Sequence, residues 1–183
     1  MIINSRNNLF NFRFPRTFIP KEVADKYRKY LNRMPGNLVT EPIDFINYAI
    51  QGIQLPGIAF DPISQAPNDG TTTYHRGAIP IQNTIERQFT VEMQLLDGYI
   101  NYWIMQDTLL YYYARTTKAP FINDLKLQIL DAEGIHVMSA VFEKPILNSI
   151  TDLELNMSSN IAEFNTFSLN FYYNKFNLIL EID

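Results

Sequence analysis

Residues 97–130, DGYINYWIMQDTLLYYYARTTKAPFINDLKLQIL, decide how the rest of the chain is read. They spell a helix, a turn and a strand. Tyr99, Tyr102, Trp103, Gln106, Leu109, Leu110 and Tyr113 recur at spacings of three and four, which predicts one helical stripe facing the core. Asp97 stands where an N-cap side chain accepts from free amides. Arg115 and Lys118 suit a helix C-terminus, and the helix must be over before Pro120. Strand signals lie on both sides, so a sheet system built over one helix is expected.

Outward from this stretch, residues 85–96 (IERQFTVEMQLL) give the cleanest strand, with Phe89, Val91, Met93 and Leu95 on one face. Residues 124–130 and 135–143 form a hairpin around the turn Asp131–Gly134. Residues 161–173 alternate again through Phe167, Leu169, Phe171 and Tyr173, and Phe176 to Leu180 add a last apolar segment. Residues 43–60 read as a strand covered on both faces. Near the start, Phe10, Phe12 and Phe14 alternate with Asn11 and Arg13 ahead of Pro15 and Pro20, which fits an edge strand of the same domain or an arm on a neighbouring subunit. Residues 21–34 make a short helix with Pro20 at its first position. Its apolar stripe is Val23, Tyr27, Tyr30, Leu31 and Met34, and its basic face is solvated or touches nucleic acid. Residues 56–80 hold four Pro, three Gly and the turn signal Asn68-Asp69-Gly70, and read as a projecting loop. The organisation is an arm and short helix over 1–36, then one β domain over 37–183.

Composition narrows the function classes. The 183 residues are 46% hydrophobic and 14% aromatic, with 13 Phe and 11 Tyr, which leans toward pleated sheets and interfaces. A net charge of −4 is no footprint for gripping nucleic-acid phosphates. With no Cys, disulfides and thiolate metal sites are excluded. No apolar run reaches the ~18 residues of a membrane span, and Met1–Phe10 lacks a signal-peptide core. Work in a cytoplasm, or in a particle assembled there, is expected. No nucleophile elbow, zinc helix or phosphate loop is present, so no enzyme, cofactor or metal site is expected. His75 and His136 read as surface or interface polar residues, Asp131 and Glu133 as turn residues, and Asp152 with Glu154 as a solvated strand face or an acidic lining.

From residue 85 on, the order is familiar: the strand QFTVEMQLL, Asp97-Gly98, the aromatic helix around Trp103, and the hairpin LKLQILDAEGIHVMSAVF. Then follow Lys144-Pro145-Ile146, LELNMSS and the closing strand FNTFSLNFYYNKF, with Phe167, Leu169, Phe171, Tyr172 and Phe176 in its pattern. This order resembles the tail tube proteins of tailed bacteriophages, whose fold is similar to that of the type VI secretion tube. The Ile-, Asn-, Tyr- and Phe-rich style resembles a ring or hub protein of a crAss-like phage.

The resemblance implies a mainly β (α+β) fold: two packed antiparallel sheets, or a squashed barrel, flanked by one helix besides the short N-terminal one. It implies a homo-oligomeric ring, hexameric in the first instance and dodecameric as the alternative, in the virion tail. Neighbouring rings, tube or portal-side adaptor proteins would be its partners. DNA would pass through transiently and without specificity, and no membrane insertion is implied. Asp61, Pro62, Asn68, Asp69, Gly70 and Tyr74 would touch the next ring. Asp152, Glu154 and Glu163 would line the channel. Phe10, Phe12, Phe14, Tyr111 and Tyr112 would meet a neighbouring subunit, with Met105 also on an outer face. The other reading is a β-sandwich binding module for a carbohydrate or protein ligand.

Overall fold

The structure is a computed structural model and describes residues 9–33, 39–55, 57, 63–65, 74–76, 87–114, 122–153 and 165–181, with 63–65 and 74–76 described by backbone alone. Period-two alternation decides where the core sits. Strand β5 (Gln88–Gln94) buries Phe89, Val91 and Met93, and β9 (Thr166–Tyr172) buries Phe167, Leu169 and Phe171. They pair antiparallel, with Phe89 opposite Phe171 and Val91 opposite Leu169, so the large side chains form one continuous face. Adding β2 (Ile50–Gln54) and β8 (Ile146–Ile150) completes sheet B, in the order β2-β5-β9-β8.

Sheet A is built likewise from β1 (Phe10–Phe12), β6 (Leu125–Leu130), β7 (His136–Glu143) and β10 (Lys175–Leu180), in the order β1-β6-β7-β10. Its inward row includes Phe12, Leu125, Leu127, Ala140 and Phe142. The sheets meet where Phe142 stacks on Phe89, with centroids 4.1 Å apart and planes 22° apart, while Phe89 also stacks on Phe171 at 4.9 Å. Between β6 and β7, the Asp131 carboxylate accepts from the Glu133 and Ile135 amides, and Gly134 takes φ +84°. The chain is mainly β, with two antiparallel sheets and few helices, as the alternation predicts. The strands β3 (Ile63–Gln65) and β4 (Tyr74–Arg76) form a separate two-stranded ribbon within the expected loop.

The structure corrects some expectations and decides between others. Residues 43–60 are not one strand. They hold helix α2 (Pro42–Tyr48) and then β2. Pro42 is in the first turn of α2, Asp44 follows where an acid suits the dipole, and Ile43 and Ile46 bury one helical face. The N-terminal alternation belongs to the edge-strand reading, because β1 pairs with β6 and Phe12 and Phe14 are buried in this chain's own core. Helix α1 (Lys21–Leu31) has Pro20 as its N-cap rather than its first residue, and it buries Val23 and Leu31 while Tyr30 is exposed.

A further correction concerns the long helix, α3 (Ile100–Ala114), which a 3-10 turn at Asp97–Tyr99 precedes. Its buried face is Ile100, Asn101, Ile104, Met105 and Thr108, whereas Tyr99, Trp103, Leu110 and Tyr113 of the expected core stripe are exposed. No side-chain cap comes from Asp97; Gly98 and Tyr99 take positive φ, and the helix starts after them. Asn101 does the joining from inside: its Oδ1 accepts from the Leu96 amide (3.1 Å) and its Nδ2 donates to the Gln94 carbonyl (2.6 Å). Thr108 donates to the Ile104 carbonyl of its own helix. Both polar groups are thereby satisfied in the core.

Phe89 fills the space between the sheets, so Phe89→Ala is expected to cost about 3–5 kcal/mol in denaturant unfolding. A loss below about 1 kcal/mol would show that the sheets do not depend on this stack.

Candidate functional site

Among the described residues, the four edges of sheets A and B differ in how they are protected. An open edge presents unpaired amides and carbonyls that another chain can extend, so natural edges are short, bulged, charged or covered. Strand β1 has three residues. Strand β2 breaks register between Ile50 and Gly52. Strand β8 breaks register between Leu147 and Ser149, and α3 lies against it, with the Tyr113 hydroxyl donating to the Leu147 carbonyl (3.0 Å).

Strand β10 has none of these devices beyond Lys175 at its start. Its six residues pair with β7 in unbroken register. Phe176, Leu178 and Leu180 lie opposite Phe142, Ala140 and Met138, hence on the core side of sheet A. Yet Leu178 is 58% exposed and Leu180 67%, and Ile179 on the other side is 46% exposed. The apolar floor of the sandwich thus runs on past the end of its cover. Such an edge marks an interface or an aggregation site.

The helices pack together by polar clamps. Asn47 of α2 accepts from the Phe14 amide (2.8 Å) and donates to its carbonyl. Arg28 of α1 bonds Glu41 through two nitrogens and Asp25 through a third, and this fork holds the Glu41 carboxyl below its usual range. Lys26 and Arg28 of the basic face therefore already face carboxylates. A groove of about 570 Å3 opens beside that fork, between Arg16, Lys21 and the start of α2. Tyr27 of α1 donates to Asp107 of α3 (2.8 Å), which Lys26 also contacts. Burial, then this hydrogen bond, then the carboxylate charge push the Tyr27 pKa well above the ordinary tyrosine value.

The expected site residues scatter. Asp61, Pro62, Asn68, Asp69, Gly70, Glu154 and Glu163 lie outside the described residues. Tyr74 begins β4, paired with Gln65. Asp152 is exposed just past β8. Phe10 is half-buried in β1. Tyr111 and Tyr112 are half-buried, and the Tyr112 hydroxyl donates to the Phe18 carbonyl (2.8 Å), so these residues are partly spent on their own chain. Met105 is fully buried, which removes it from any outer wall.

One cluster had no sequence signal. The His136 Nε2 lies 2.8 Å from the Ser139 hydroxyl, which donates to Glu181 (3.2 Å). Ser139 is fully buried and the carboxylate meets the serine rather than the other ring nitrogen, so the trio lacks the order of a nucleophilic triad. Among the described residues, no group of three or more His, Asp or Glu could hold a metal, and no helix is long and apolar enough to cross a membrane.

No protein-family model matches the chain, and no curated protein matches it. Solved structures share its outline. A chain of an extracellular contractile injection system, in the PVC sheath/tube terminator in the extended state, is 10% identical with a TM-score of 0.47. That match covers 71% of this chain and 84% of the other. A chain from the tube-terminating cap of the anti-feeding prophage is 11% identical with a TM-score of 0.46, over 72% and 80%. A mutant Hcp1 protein of E. coli EAEC 042 is 12% identical with a TM-score of 0.33, over 68% and 71%. At these scores the functional reading rests on this chain's own surfaces.

A tyrosine whose folded pKa is raised stabilises fully below its unfolded value of about 10 and loses that contribution as pH climbs through the folded value. Wild-type stability should therefore fall in alkali above about pH 10. Tyr27→Phe should be about 1 kcal/mol less stable at neutral pH and should lose less on going to alkali. Urea titrations at neutral and alkaline pH check both, and an unchanged alkaline fall would remove Tyr27 as a clamp.

Proposed function

We propose that this chain is a structural subunit of a ring or tube in a phage-tail-like particle. Copies join edge to edge around a channel through which DNA passes. The observation that carries the reading is β10: a regular, apolar edge strand whose inward leucines overhang the sandwich. A second copy laid along it would bury Leu178 and Leu180 and satisfy the open backbone edge together. Closing the series into a ring leaves neither edge of sheet A exposed, while the edges of sheet B keep their own register breaks and cover. The element order that resembles tail tube proteins leads to the same reading, with a hexamer as the expected ring. The 56–80 segment, with its β3–β4 ribbon, would touch the next ring.

Negative-stain microscopy and light scattering of the purified protein test the assembly. Rings of uniform diameter are expected. A strict monomer across concentration and salt, with saturable glycan binding, would favour the binding-module reading instead. Leu178→Lys with Leu180→Lys changes exposed side chains and should alter stability by no more than about 0.5 kcal/mol each, yet leave a monomer. Rings that persist in this variant would reject β10 as the joint. Removing residues 62–78 should keep the fold and the rings but abolish stacking of one ring on another, and loss of folding would sink the loop's proposed role.

A further inference from the structure

Sheet A has an outward face distinct from its leucine overhang. Alternation puts Asn11, Lys126, Gln128, Ser139, Val141, Glu143, Lys175, Asn177 and Ile179 there, opposite the buried row. On this face the lysines are matched. Lys126 bonds Glu181 (3.1 Å), and Ser139 bonds the same carboxylate oxygen. Lys175 lies 3.5 Å from Glu143, which also accepts from the Asn177 amide. Asn11 and Gln128 bond each other across β1 and β6 (2.8 Å). Arg13, one residue past β1, is exposed.

The two sheets are not equivalent as walls. Sheet B has α3 against its β8 edge. Sheet A is flanked by β1 and β10, and among the described residues each pairs on one side only. Its four strands alternate in direction, so β1 and β10 run oppositely. The β10 of one copy therefore meets the β1 of the next antiparallel, and the ladder continues without a change of type.

We propose that the outward face of sheet A is the channel wall, and that Glu143 and Glu181 serve there to neutralise Lys175 and Lys126 toward a passing polyanion. This rests on the ring reading above. A lysine facing phosphate displaces counterions and holds the polymer, so each unmasked lysine would add salt-sensitive affinity. A lysine already paired with a carboxylate gains much less by the same contact. The hydrogen bonds from Lys126 and then Ser139 hold the Glu181 carboxyl below its usual range, so the masking charge stays in place at neutral pH. The wall is then nearly charge-balanced, with Val141 and Ile179 among its polar groups, and DNA slides past it. Asp152 follows β8 in sheet B and is not part of it.

The test uses assembled particles, with ring formation scored first by negative stain. Absence of rings rejects the assembly reading itself, before anything is learned about the wall. Because the chain has no Cys, single cysteines label cleanly. In assembled particles, Gln128→Cys should react with a small maleimide but not with a bulky polyethylene-glycol maleimide, whereas Thr90→Cys on the outward face of sheet B should react with both. The double variant Glu143→Gln/Glu181→Gln should form the same rings and bind a short DNA duplex at least about tenfold more tightly than wild type, with affinity falling as salt rises. Bulky labelling of Gln128→Cys in intact rings would overturn the assignment of the wall. Unchanged DNA affinity in the double variant would overturn the masking role of the two glutamates.

Discussion

The stack of Phe89 between Phe171 and Phe142 is the contact on which the molecule depends. Phe171 is its register partner inside sheet B, and Phe142 comes from sheet A, so one ring ties a strand pair to the opposite sheet. The column spreads in both directions. Phe14 and Phe18 stack at 4.3 Å and lean on Phe171, while Tyr173 and Phe176 pack around Phe142. Aromatic rings bury large areas with few rotors, and their stacked geometry fixes spacing as well as contact. A chain without disulfides gains its cross-links this way. The same column shows where cover ends. Phe176 is its last member along β10, and the strand continues through Leu178 and Leu180 into solvent. The core and the proposed joint are therefore two stretches of one apolar row.

Much of the sheet structure is legible in the residues. In β5 and β9 every inward position is large and apolar and every outward one is an amide, hydroxyl, acid or Tyr172, so period two has no competitor. The Asp131–Gly134 turn is legible because one carboxylate and one glycine do its work. The helices resist reading for physical reasons. Helix α3 is apolar or aromatic almost all round, so spacing alone cannot choose a face. The face it buries contains Asn101 and Thr108, whose polarity argues against burial until their partners are known. In α2, the run Ile43 to Asn47 fits both periods, and Pro42 was the signal that could have decided for a helix.

The candidate site is less legible than the fold. Nothing in Lys175–Leu180 says that the strand lies at an edge, because strand order is set by which distant segment reaches a sheet first. The same six residues in the middle of a sheet would be an ordinary core strand. Likewise Glu143 and Glu181 carry no motif. Their pairing with Lys175 and Lys126 exists only because β6, β7 and β10 come side by side.

The pairing of β1 with β6 has a consequence in time. The Asn11–Gln128 bond joins positions 117 residues apart, whereas β6 and β7 are linked by a short hairpin turn. Contacts that close long loops pay their entropy before they are rewarded, and they form late. Sheet A should therefore grow from the β6–β7 hairpin, gain β10 from nearby, and recruit β1 last. A chain still waiting for β1 carries two open edges, β10 and the β6 edge that β1 will cover. The arrival of β1 thus competes with another copy's β10 for β6, and only the finished subunit offers the β1 edge.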